Sequence, residues 1–170
     1  MKRLNKKQKC TALLTLLPVI AVMGVIFYFS SQTAQTSTVT SSGFVDRLME
    51  AITALFGEIS ASSYESVRHI ATLIVRKSAH FLEFAALGFF LEIHFRTYLK
   101  HRTWLISGAI SVLYALSDEI HQNFVSERAM RISDVCIDSL GAFCAIAAVC
   151  LLAYIFIKIK DRKGEHNEKV

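Results

Sequence analysis

Polar and ionisable side chains recur at helical spacing in three parts of this 170-residue sequence. Arg76, His80 and Glu83 stand at i, i+4 and i+7, while Asp118 with Gln122, and Asp134 with Asp138, stand at i and i+4. Residues at these separations share one face of a helix. The candidate site residues are, in chain order, Arg76, Lys77, His80, Glu83, Asp118, Glu119, Gln122, Arg128, Arg131, Asp134 and Asp138.

His80 is the member of this set best suited to acid–base chemistry. An imidazole titrates near neutral pH, and a neighbouring carboxylate fixes its tautomer and raises its basicity. Either Glu83 or Asp118 could be that neighbour. We therefore predict His80, Glu83 and Asp118 as candidate catalytic residues.

The basic side chains of the set are suited to binding an anion. A guanidinium donates two parallel hydrogen bonds to a phosphate or a carboxylate, and an ammonium adds a point charge. We predict a pocket for an anionic or lipid-linked ligand. The predicted ligand-binding residues are Arg76, Lys77, Glu119, Gln122, Arg128, Arg131, Asp134 and Asp138.

A metal site is the weaker interpretation of the same residues. His80, Glu83, Glu119 and His121 have side chains that bind metals, but His-x-x-Glu is a weak pattern and no complete motif is present. The sequence therefore predicts neither a metal nor a cofactor.

The elements that position these residues are apolar helices. The chain is 53% hydrophobic, with one proline and seven glycines, which favours an all-α membrane protein over a barrel. A helix needs roughly 20 apolar residues to span the hydrocarbon core. We predict one membrane domain over residues 1–170 with four spans, at about 11–29, 79–95, 104–119 and 135–157.

The basic residues define the orientation of these spans. The net charge is +5, and 13 of the 19 lysine and arginine residues flank the spans on one side. By the positive-inside rule that side is the cytoplasm, so both termini and the tail 158–170 are predicted to be cytoplasmic, in the bacterial inner membrane. The membrane topology thus accounts for the net positive charge, and no binding to nucleic acid is needed to explain it. A cleaved signal peptide is the alternative for the first span, although its 19 apolar residues exceed the usual length.

The segment 30–78 is predicted to be extracytoplasmic. Residues 30–42 are rich in serine and threonine and are predicted to form an exposed linker. An apolar stripe from Phe44 to Ile59 then predicts an amphipathic helix, which either packs on the bundle or lies in the membrane interface. Ser62 and Glu65 form a capping-box pattern, which predicts a second helix starting at Tyr64 and continuing into the second span.

A purely structural role is a further interpretation of the polar set. Charged groups in a membrane are costly unless they are paired. Arg76 with Glu83, Arg128 with Asp118 or Glu119, and Arg131 with Asp134 could pin three helices together. We also expect Glu92, near the inner boundary, to pair with Arg96 at i+4.

The spaced polar residues resemble those of the VanZ-like family, small bacterial membrane proteins named after a protein associated with teicoplanin resistance. The similarity rests on RKSAHFLEFAALG (76–88), DEIHQNFVSERAMRISD (118–134), Asp138 and Gly141, with FSSQ (29–32) after the first span. Asp138 is a departure, because an asparagine is usual there in the family.

The resemblance implies a membrane protein that engages a cell-envelope component and lowers sensitivity to glycopeptide or lipoglycopeptide antibiotics. It does not supply a reaction. One alternative is a membrane-embedded transferase or hydrolase acting on a lipid-linked or phosphate-bearing envelope substrate. The other is a structural or partner-binding membrane module.

Overall fold

The computed structural model describes residues 6–99, 101–125 and 130–167, and this part of the chain contains five helices and no strand. The prediction of an all-helical protein is confirmed. The helices are α1 (Lys6–Ser30), α2 (Ala34–Phe56), α3 (Ala61–Arg96), α4 (Thr103–Gln122) and α5 (Ile132–Asn167).

Two helices have the length and apolar composition of membrane spans. Among the described residues these are Lys9–Ser30 in α1 and Ile132–Asp161 in α5. Many of their large apolar side chains are exposed, such as Leu17 of α1 and Phe156 of α5, which suits contact with lipid tails. By length and composition these two helices could cross a membrane, in line with the predicted membrane protein. The predicted spans 79–95 and 104–119 lie inside α3 and α4, whose sequences contain more charged and polar groups.

Helix α3 lies at the centre and packs against each of the other four helices. Its side chains Phe84 and Leu87 are fully buried against Ile26 of α1 and Ala115 of α4. Burial of a large apolar side chain in such a core contributes about 1.5–3 kcal/mol in a water-soluble protein. In a bilayer the contribution comes mainly from close packing.

The contact between α3 and α5 depends on two glycines. A Cβ added to Gly88 would lie 2.5 Å from the Ala142 carbonyl oxygen, and one added to Gly141 would overlap the Phe81 carbonyl oxygen. The two backbones therefore touch with no side chain between them, as small residues allow in membrane helices. This contact brings the polar faces of α3 and α5 together.

The structure corrects the prediction of a linker over residues 30–42. Thr33 caps α2 by accepting a hydrogen bond from the Thr36 N–H at 3.2 Å, and the helix begins at Ala34. The Thr40 and Ser41 hydroxyls donate to carbonyl oxygens four residues earlier, both at 3.0 Å. Such bonds satisfy the hydroxyls within the helix, so a run rich in serine and threonine need not be a loop.

Helix α2 uses only part of its apolar stripe for packing. Val45 and Met49 are buried against Ala71 of α3, whereas Phe44 and Phe56 are 66% and 84% exposed. Arg68 of α3 donates to Asp46 of α2 at 2.5 Å, and this hydrogen bond raises the pKa of the Arg68 guanidinium.

The predicted start of the next helix is also corrected. Helix α3 begins at Ala61 rather than Tyr64, and Ser60 is its N-cap residue. The Ser60 hydroxyl contacts the Ser62 and Ser63 hydroxyls at 3.1 and 3.0 Å and caps no backbone N–H. From there α3 runs without a break to Arg96, so the helix predicted after Ser62 and the predicted second span are one element.

Candidate functional site

Three helices bring polar side chains to one buried position. His80 of α3, Asp118 of α4 and Asp138 of α5 each offer a donor atom, and these atoms lie within 4.8 Å of one another. Asp118 is 4% exposed and Asp138 1% exposed, while His80 is partly buried. We call these three residues the buried triad.

Asp118 is held by two hydrogen bonds. The Ser30 hydroxyl at the end of α1 donates to its Oδ2 at 2.7 Å, and the Gln122 amide donates to the same atom at 2.8 Å. The Gln122 amide also donates to the Ser30 hydroxyl at 3.0 Å. The carboxylate is therefore fixed in orientation, and it joins α1 to α4.

Two carboxylate oxygens at the site form no hydrogen bond with any residue the structure describes. They are Asp138 Oδ1 and Glu83 Oε2, and both atoms are buried. Glu83 Oε2 lies 3.6 Å from His80 Nδ1, which is an ion-pair contact longer than a hydrogen bond. Buried polar atoms are normally paired, so these two oxygens need an explanation.

The edge of the site contains different pairs from those expected for a structural network. Lys77 forms an ion pair with Asp134, and the Arg131 backbone N–H donates to Glu119 Oε2 at 2.9 Å. In the described part of the chain, neither the Arg131–Asp134 pair nor an Arg76–Glu83 pair forms. Successive helical residues differ by about 100° in direction, so Lys77 faces α5 whereas Arg76 does not.

A cavity of about 220 Å³ lies beside the buried triad, between the end of α1, α2 and α3. Arg76 lines it and forms no ion pair with any described residue. The other polar residues that line it are Gln32, Ser37, Thr40, Ser41, His80 and Glu83. The cavity thus combines a guanidinium and hydroxyls with an acidic end.

Sequence reasoning missed the contributions of α1 and α2 to the site. Ser30 binds Asp118, but the FSSQ stretch containing it served only as a mark of resemblance. Ser37 and Thr40 line the cavity, yet they fall in the segment predicted as a linker. Their spacing of three residues was the available signal, because it places them on one face of a helix.

Some predicted site residues do not reach the cavity, and Arg128, like Glu127, lies outside the described residues. The pairs described above, at the edge of the site, contain Lys77, Asp134, Glu119 and Arg131. His121 stacks on Phe27 of α1 with ring centroids 4.7 Å apart and contacts the Ser31 hydroxyl at 3.1 Å. His121 therefore lies apart from His80, although the sequence grouped the two among the possible metal ligands.

Another buried carboxylate, at the opposite end of the bundle, is fully paired. Glu92 has no exposed surface, and its Oε1 accepts from Arg96 Nε at 2.8 Å and from the Thr103 hydroxyl at 2.6 Å. Its Oε2 accepts from the Ser107 hydroxyl at 2.8 Å. The expected pairing of Glu92 with Arg96 is confirmed.

Comparison with known proteins gives one finding. The family model described as VanZ/LLP1 matches residues 15–156, which include α1 from residue 15, the whole of α2, α3 and α4, and α5 as far as residue 156. The chain belongs to the VanZ-like family. No curated protein and no solved structure matches it. Every predicted site residue falls inside the part that matches the VanZ-like model.

Proposed function

We propose that this VanZ-like protein spans the bacterial cytoplasmic membrane four times, with both termini in the cytoplasm. The clusters of basic residues before α1, between α3 and α4, and late in α5 support this orientation. The 20 residues of α4 correspond to about 30 Å of helix, the thickness of a hydrocarbon core. The cavity and the buried triad then lie near the outer face.

In our proposal the cavity engages an anionic or lipid-linked component of the cell envelope. The observation that supports this most strongly is Arg76, an arginine lining the cavity without an ion-pair partner among the described residues. A guanidinium in that setting binds phosphate or carboxylate through two hydrogen bonds. The hydroxyls of Ser37, Thr40 and Ser41 line the opposite wall, where Thr40 and Ser41 donate within α2 and offer acceptor oxygens.

The exposed apolar side chains of α2 support a ligand with a lipid tail. Phe44, Leu55 and Phe56 are between 66% and 84% exposed on the helix that forms one wall of the cavity. Aromatic and aliphatic side chains of this kind insert into the interfacial layer of a bilayer. A lipid anchor in that layer would lie beside the cavity.

By engaging such a component, the protein lowers sensitivity to glycopeptide or lipoglycopeptide antibiotics of the teicoplanin type. Membership of the VanZ-like family is the support for this part of the proposal. The alternative function, a transferase or hydrolase, stays a prediction. It would use a carboxylate to orient His80, but the distance of 3.6 Å between His80 Nδ1 and Glu83 Oε2 is longer than a hydrogen bond.

The first prediction concerns Arg76→Gln in a susceptible bacterium that expresses the chain. Loss of the guanidinium removes the anion contact, so we expect the teicoplanin concentration that inhibits growth to fall to the value of cells without the protein. The measurement is that inhibitory concentration, together with the amount of protein in the membrane fraction.

Arg68→Gln is the matched control, because Arg68 lies on the same helix but pairs with Asp46 away from the cavity. It should keep the protection of the parent chain. Full protection by Arg76→Gln at equal membrane abundance would contradict the proposal. Equal loss in both variants would instead support a structural role for the charges of α3.

A further inference from the structure

The buried triad places an imidazole and two carboxylates within reach of one ion. We propose that His80, Asp118 and Asp138 bind a divalent first-row transition-metal ion, held between α3, α4 and α5. The inference concerns the same site as the proposed function, but it does not depend on antibiotic protection. It differs from the metal set considered from the sequence, because only His80 is common to both and Asp118 and Asp138 replace Glu83, Glu119 and His121.

The first argument is the unpaired oxygen of Asp138. This residue is 1% exposed, and its Oδ1 forms no hydrogen bond within the described ranges. A buried carboxylate without a partner is costly, and the usual solutions are a cation, a proton or a hydrogen-bond donor. A metal ion at the centre of the triad supplies the missing positive charge.

The second argument is the local charge balance. Glu83 lies next to the triad, so three carboxylates meet here with one imidazole. Among the described residues no lysine or arginine forms an ion pair with Glu83, Asp118 or Asp138. A dipositive ion lowers the repulsion among these carboxylates, as in metal sites generally.

The third argument is the support around Asp118. Its Oδ2 accepts hydrogen bonds from Ser30 and Gln122, at 2.7 and 2.8 Å. Outer hydrogen bonds of this kind orient a ligating carboxylate, and they are typical of metal sites. Asp118 is thus held in place before an ion arrives.

The donor set indicates the class of metal. Imidazole suits Zn²⁺ and related ions and carboxylates suit Mn²⁺, so one imidazole with two carboxylates fits either ion, whereas Mg²⁺ and Ca²⁺ prefer oxygen donors alone. In a tetrahedral site with bonds of about 2.1 Å the ligand atoms stand about 3.4 Å apart. Donor atoms within 4.8 Å of each other therefore need only small side-chain rotations to close on the ion. The cavity lined by His80 provides the entry path.

The test uses the full-length chain, free of a histidine tag, purified in detergent and freed of metal with a chelator. Calorimetric titration with Zn²⁺, and separately with Mn²⁺, should show one bound ion per chain for at least one of the two metals. Asp138→Asn and His80→Gln should each weaken binding by at least about tenfold, because each removes a ligand. Thermal unfolding followed by circular dichroism should show that the metal raises the midpoint temperature of the parent chain but not that of Asp138→Asn or His80→Gln.

Asp46→Asn is the matched control, since Asp46 lies on α2 and pairs with Arg68 away from the cavity and the buried triad. Its metal affinity should stay within about threefold of the parent value. The inference is overturned if the parent chain binds neither metal, or if Asp46→Asn loses as much affinity as Asp138→Asn. A parent chain that binds the metal but gives no protection against teicoplanin would count against the proposed function alone.

Discussion

Two buried carboxylates of this protein have opposite surroundings. Glu92 accepts hydrogen bonds at both oxygens from Arg96, Thr103 and Ser107, whereas one oxygen of Asp138 has no partner in the described part of the chain. A fully paired buried carboxylate stabilises the contact between its helices, because every group that lost water gained a partner. An incompletely paired one indicates a ligand site.

At this scale we predict that Glu92→Ala destabilises the protein. The substitution leaves two buried hydroxyls and a guanidinium without their acceptor, which should cost about 2–3 kcal/mol. The free energy of unfolding, measured by denaturant titration in mixed micelles, is the test. Glu50→Ala, at an exposed position of α2, should change it by less than about 0.5 kcal/mol. Equal effects of the two changes would contradict the structural role of Glu92.

At the scale of elements, the contact of α3 with α5 decides whether the buried triad forms. Gly141 lies one turn from Asp138 and against the backbone of Phe81, which is one residue from His80. Any side chain at position 141 must push the two helices apart. The position of Asp138 relative to His80 therefore depends on Gly141, which has no functional side chain.

We predict that Gly141→Ala destabilises the bundle by about 1–3 kcal/mol, the usual cost of overpacking. By moving Asp138 away from His80 it should also weaken metal binding. Gly24→Ala in α1 is the control, because an added Cβ there meets no described atom within 4 Å outside its own helix. That change should be neutral or stabilising by up to about 1 kcal/mol. A Gly141→Ala protein as stable as the Gly24→Ala protein would show that the helices do not touch here.

At the scale of the whole molecule, apolar and polar helices have different positions. Helices α1 and α5 have the composition of membrane spans, and both pack against α3, which contributes more of the predicted site residues than any other helix. Charged groups in a bilayer need protein or water around them rather than lipid. In the proposed four-span topology the two apolar helices therefore shield α3, which explains why α3 is less apolar than they are.

The four-span topology predicts which parts of the chain reach each side of the membrane. Green fluorescent protein fused after Leu99 or after Asp161 should be fluorescent, and alkaline phosphatase fused after Gly57 should be active. Those reporters function in the cytoplasm and outside it, respectively. If only α1 and α5 crossed the membrane, positions 57 and 99 would lie on the same side. Phosphatase activity after Leu99 would therefore contradict the four-span topology.

The sequence by itself determined the helical fold class, the membrane character and the family, and it selected the residues of the polar set. These follow from composition and from periodicity, which act within one helix and need no knowledge of its neighbours. It failed over residues 30–42, because serine and threonine form side-chain bonds both in loops and in helices. The pairing of Glu92 with Arg96 was predictable because both lie on α3, four residues apart.

Only the tertiary structure decided which of the polar side chains meet. The pairing of Lys77 with Asp134, and of Asp118 with Ser30, depends on the rotation and depth of separate helices. Those quantities are fixed by backbone contacts such as that of Gly141 with Phe81, and helical periodicity contains no information about them. The sequence therefore identifies the candidate residues of the site, and helix packing determines which of them lie close enough to bind the same ion or ligand.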